Sequence, residues 1–160
     1  MIAHTSKNIP SLGVQEDTVL SMRDVALIQL DESIRLFLVG RYLPAITLAG
    51  AADEVLGKLI SKQGGKSVIY ESLDSIASLR GATSLTVMQG LANKEIIDRW
   101  NKTRNALKHV VVDDAAPYLR VNLCDEAYWM IRRCLANAEK LHMTVDIAHE
   151  LDNWVVQNVI

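Results

Sequence analysis

The stretch Asn101 to His109, NKTRNALKH, gathers the side chains of this chain best able to hold an anion and move a proton. A helix advances by about 100° per residue, so Ile96, Trp100, Thr103, Leu107 and Val110 fall on one stripe. Asp98, Asn101, Asn105 and His109 fall on the opposite one. His109 is thereby expected outside the core. Asn105 precedes it by four residues, a helical neighbour able to orient the imidazole. Arg104 flanks both on a side chain long enough to swing toward either, and Asn101 and Lys108 border the same cluster. The expected chemistry is cationic and proton-exchanging: a guanidinium for an anionic oxygen, and an imidazole that titrates near neutral pH.

Such a cluster needs rigid helices beneath it. At 160 residues the chain is the size of one domain with a real core. Residues 1–16, with Pro10 and Gly13 and no sustained periodicity, read as an arm. From Val19 a helical repeat runs through Met22, Ala26, Leu27, Leu30, Ile34, Phe37 and Leu38, with Asp17 or Thr18 as its cap and an end near Gly40. A second helix begins around Leu43, carries Pro44 in its first turn, and stops at Gly64-Gly65. On it Gly50 and Gly57 share a face, with Asp53 and Glu54 between them. Small residues invite a close neighbour, and a carboxylate on such a face requires a cation, for which Arg104 is the natural candidate. Adjacent residues diverge around the axis, so one of the two carboxylates is equally well read as facing water.

Residues 67–80 predict a third helix, and Asn93 is expected to cap a central helix running to about Val110. Asp113, Asp114 and Pro117 break it, and Tyr118 to Leu123 alternates weakly, as an extended segment would. From Asp125 the pattern is helical again, with Ala127, Met130, Ile131, Cys134, Leu135, Ala138 and Leu141 inward and Arg132, Arg133, Glu139 and Lys140 outward. Residues 143–160 make a last helix packed on the bundle. Residues 17–142 thus read as an all-α, single-domain antiparallel helical bundle.

Other chemistries are excluded by spacing or charge. The net charge of -2 supplies no global basic field, so anion binding rests on a local cluster. Gly64-Gly65-Lys66-Ser67 lacks the earlier glycine of a phosphate loop, because Ile60 stands there. His142 and His149, seven apart and about 10 Å along a helix, are too distant to share a metal, and no metal or cofactor is expected. Cys124 and Cys134, ten apart and about 15 Å along one helix, read as reduced packing residues. Trp100, Trp129 and Trp154 each fall at inward positions and read as core anchors rather than stacking platforms. No apolar run reaches membrane-spanning length and the first residues hold no apolar leader core, so the expectation is a cytoplasmic protein without a membrane partner.

The string RNALKH, Arg104 to His109, resembles the RxxxxH motif of the higher-eukaryote and prokaryote nucleotide-binding (HEPN) superfamily, including the polar residue after the arginine, here Asn105. The blocks YLPAITLAGAADEVLG and CDEAYWMIRRCLANAEKL resemble uncharacterised bacterial members, and the resemblance spans roughly residues 18 to 142. It implies a homodimer whose two motifs share one cleft, and metal-independent RNA cleavage. In that reading Arg104, Asn105 and His109 are catalytic, with Asp53 or Glu54 holding Arg104. RNA and an antitoxin or other protein become the expected partners, and a toxin or defence protein the expected setting. Two other classes remain open: a non-catalytic dimeric module that binds nucleotide, RNA or protein through the same groove, and an interaction protein whose polar helix face is merely solvated.

Overall fold

The computed structural model describes residues 17–82, 91–108 and 118–159. The expected arm and His109 lie outside them. The described residues form seven α-helices and no strand, in the order α1 (Met22–Leu38), α2 (Tyr42–Lys62), α3 (Val68–Ala82), α4 (Asn93–Trp100), α5 (Lys102–Lys108), α6 (Leu123–Lys140) and α7 (Ala148–Asn158). The protein is an all-α bundle, as the periodicity predicts.

Helix α1 starts later than expected. Its cap is Ser21, whose hydroxyl accepts the Asp24 N–H while the Asp24 carboxylate accepts the Ser21 N–H, each at 3.1 Å. Val19 is left outside the helix, 96% exposed. The buried stripe Ala26, Leu30, Ile34 and Phe37 is the expected one, widened by Ser33, whose hydroxyl donates to the Ala45 carbonyl at 2.8 Å. Gly40, at φ +76°, ends α1 in a Schellman turn, with Arg41 N–H bonded to Leu36 O and Gly40 N–H to Phe37 O. Three residues therefore reverse the chain, and α2 returns antiparallel along α1.

Helix α2 is the centre of the bundle, touching both α1 and α6. Ala45, Ala49, Gly50 and Ala52 keep it slim enough to be covered on two sides, with Ile46, Leu56 and Ile60 supplying apolar bulk. Contacts to α6 climb together along both helices. Ala49 O accepts from Cys134 Sγ, and Asp53 further along accepts from Asn137. The two helices thus run in the same direction, whereas α1 runs against α6: Arg23 reaches Leu141 O, and Phe37 meets Tyr128. The antiparallel sense holds for α1 against α2 and α6, and the intervening helices α3, α4 and α5 carry the chain back so that α6 parallels α2.

The C-terminal segment joins the same core through Leu141, Ile147 and Leu151, and Trp154 packs edge-on against Phe37 at 4.8 Å. Residues 118–122 carry no regular secondary structure before Asn122 caps α6 by accepting the Asp125 N–H at 3.2 Å. No described helix is long and apolar enough to cross a membrane.

The expected central helix is interrupted. Helix α4 ends at Trp100, Asn101 stands at the junction, and α5 resumes at Lys102. Its cap is Ala92 rather than Asn93, with the Glu95 carboxylate accepting the Ala92 N–H at 2.6 Å. Ile96 and Thr103 are buried as expected, but so is Asn101, at 6% exposure, although the stripe places it toward water. An apolar stripe identifies one covered side; this helix pair has a second, toward Arg133 of α6.

Candidate functional site

The site is built where α5 crosses the slim face of α2. A Cβ added at Gly50 would meet Arg104 Cγ and Cδ at 2.6 Å, so the missing side chain is the seat on which the arginine lies. Seated this way, the Arg104 side chain is 17% exposed, and its Nη1 comes within 4.0 Å of Asp53 Oδ2. Its Nε and Nη2 donate to Asn105 Oδ1 at 3.3 and 3.2 Å. Asn105 is therefore a positioning group for Arg104; its expected bond to the imidazole involves His109, outside the described residues.

Asp53 is the buried carboxylate of the pair, and its principal partner is Arg133. Arg133 Nη2 donates to Asp53 Oδ2 at 2.7 Å and to Asn101 Oδ1 at 2.8 Å, while Asn137 Nδ2 donates to Asp53 Oδ1 at 3.0 Å. Asn137 Oδ1 in turn accepts the Val68 N–H at 2.9 Å, tying α3 to the network. The apolar spacing of α6 places Arg133 toward water beside Arg132. It is 12% exposed instead, because α6 is covered by α2 on one side and by the α4–α5 junction on another. Arg133 and Asn137, four apart on α6, escape a reading of apolar spacing; the available signal was an asparagine among the inward Cys134, Ala138 and Leu141.

Glu54 plays a different part. Half exposed, it holds Lys58 at 3.2 Å and Lys108 at 3.3 Å, not Arg104. The hydrogen bond from Lys58, and then that from Lys108, hold its carboxyl below the usual range. Lys108 thus pins the end of α5 to α2. Of the expected cluster, Arg104 and Lys108 reach the Gly50–Glu54 segment of α2, Asn105 joins them through Arg104, and Asn101 is tied in through Arg133.

The electrostatics are unbalanced toward positive charge. Two largely buried guanidiniums share one buried carboxylate, and the more distant, Arg104, is not neutralised at contact distance. The Nε–H of Arg133 is also buried without an acceptor among the described residues. Such an arrangement suits an incoming anionic oxygen. Behind it, burial pushes the Cys134 thiol well above its usual range, with the Asp53 carboxylate adding to the shift. Among the described residues no three His, Cys, Asp or Glu side chains gather as a metal site would require.

A cleft of about 540 Å³ opens beside this network, between α3, α4 and α6, with Arg133 in its wall. Trp129 lines it and is 68% exposed, contrary to the expectation of a core anchor. It lies one position off the Ala127, Met130, Ile131 and Cys134 stripe, which turns it about 100° away from the core. Comparison with family models, with curated proteins and with solved structures returned no match.

Proposed function

We propose that the chain is a metal-independent endoribonuclease of the HEPN type, working as a homodimer, with a toxin or defence protein as its setting. The observation that carries the reading is the seat of Arg104: a guanidinium laid in a glycine groove, oriented by Asn105, and only partly countered by Asp53. In RNA cleavage the ribose 2′-oxygen attacks phosphorus as its proton is removed. The bond to the 5′-oxygen breaks, and that oxygen receives a proton. The products carry a 2′,3′-cyclic phosphate and a 5′-hydroxyl. Arg104 takes the charge that grows on the non-bridging oxygens, and His109 exchanges the protons. Pre-setting the guanidinium matters because a donor fixed before reaction incurs no reorganisation cost when the charge appears.

The test is cleavage of end-labelled RNA in EDTA by the parent, Arg104→Ala and His109→Ala proteins. Cyclic-phosphate ends from the parent, with losses of about a hundredfold or more in each variant, are expected. Full cleavage by both variants would refute the assignment. A second reading, an RNA-binding module without turnover, is favoured by one feature: Arg104 is already bonded to Asn105 and mostly buried. Binding without cleavage would select it.

A further inference from the structure

We propose that the cleft between α3, α4 and α6 is a stacking subsite for a base of single-stranded RNA, with Trp129 as its platform. The inference rests on the RNA reading of the Arg104 site and adds to it the element that holds the strand. The cleft's volume of about 540 Å³ lies in the range of small-ligand sites. Trp129 is 68% exposed there, and Trp100 is a half-buried second aromatic in the same wall.

The indole of Trp129 is also held. It packs edge-on against Tyr128, centroids 5.1 Å apart at 70°, and Tyr128 rests on Phe37 of the core. An aromatic face fixed in advance loses little entropy when a base stacks on it. Charge agrees with the occupant. Arg99, Arg132 and Arg133 line the cleft beside Glu126, with Arg133 bound behind the wall to Asp53. Asp152 engages Arg132 at 2.7 Å, and Arg99 forms no ion pair among the described residues. Aromatic faces interleaved with guanidiniums are what a phosphodiester strand with splayed bases requires. Arg133 belongs both to this cleft and to the Asp53 network beside Arg104, so one side chain links the two sites.

The experiment measures binding of a short 2′-O-methyl oligoribonucleotide, which has no free 2′-hydroxyl and stays uncut, to the parent, Trp129→Ala and Trp129→Phe proteins. Cleavage of the unmodified strand is followed in parallel. Trp129→Ala is expected to bind about tenfold or more weakly, Trp129→Phe to recover most of the affinity, and the difference to vanish on an abasic strand. Unchanged affinity in Trp129→Ala, an equal loss on the abasic strand, no binding by the parent, or a changed oligomeric state in the variant would each overturn the subsite. Binding of the methylated strand without cutting of the unmodified one overturns the ribonuclease and leaves the subsite standing. Cutting by a parent that Trp129→Ala matches in affinity does the reverse.

Discussion

Gly50 and Asp53 do different work for the same arginine. Replacing Gly50 by alanine in mid-helix gains about 1 kcal/mol of helix propensity, but the new methyl overlaps Arg104 and overpacking costs roughly 1–3 kcal/mol. The expected outcome is a melting temperature unchanged or lower, together with loss of RNA cleavage. A stabilised, fully active Gly50→Ala protein would show that Arg104 has no fixed seat. Asp53→Asn keeps the shape and removes the charge that Arg133 and Arg104 face, so a loss of about 3–5 kcal/mol is expected by urea unfolding. Glu54→Gln, on the half-exposed neighbour, should cost less than about 1 kcal/mol. Equal effects of the two substitutions would contradict the burial of Asp53.

Cys134 adds a pH dependence at this scale. Its thiol is buried and donates to Ala49 O at 3.0 Å, and its folded ionisation lies above the unfolded value of about 8.5. Folding therefore favours the neutral form. The associated stability is complete below the unfolded value and falls as pH rises beyond it. The alkaline decline in unfolding free energy is expected to be shallower in Cys134→Ala; parallel declines in the two proteins would remove the thiol as the cause.

Among the elements, the ends of α1, α2 and α6 share one device. Gly40 and Gly64 adopt positive φ in Schellman turns, and His142 does the same at φ 54° after α6, with Met143 N–H bonded to Ala138 O. A residue with a Cβ is strained there by roughly 1–2 kcal/mol. His142→Gly is expected to raise stability by about 1 kcal/mol, read as a higher urea midpoint, after allowing for glycine's freedom in the unfolded chain. A lowered midpoint would mean that the exposed imidazole contributes a contact that outweighs the strain. The ends of α1 and α2 were legible from their glycines, whereas the His142 turn that ends α6 carries no such signal. The interruption at Asn101 was not legible either, because a chain that stays helical on both sides of one residue keeps its periodicity.

For the whole molecule the decisive question is whether one site draws on two copies. Arg104 and His109 are five residues apart, about 140° around an ideal helix, which disfavours a shared phosphate within one copy. If each site takes Arg104 from one subunit and His109 from the other, mixing inactive Arg104→Ala and His109→Ala proteins rebuilds one intact site per mixed dimer. About a quarter of the parent activity should return after subunit exchange. No recovery, with mixed dimers verified, would place both residues in one copy.

Spacing alone determined the all-helical bundle, the approximate spans of its long helices, the adjacency of Arg104 and Asn105, and the need of a carboxylate beside Gly50 for a cation. Those features are local: each follows from helix geometry and the character of residues within a few turns. Only the tertiary structure decided that Arg133 rather than Arg104 binds Asp53 most closely, that Asn101 points inward and Trp129 outward, and that α2 and α6 run in parallel. The reason is coverage. A polar or aromatic side chain at the edge of an apolar stripe is buried or exposed according to whether a second helix lies against that flank, and no spacing within its own helix encodes where that neighbour packs.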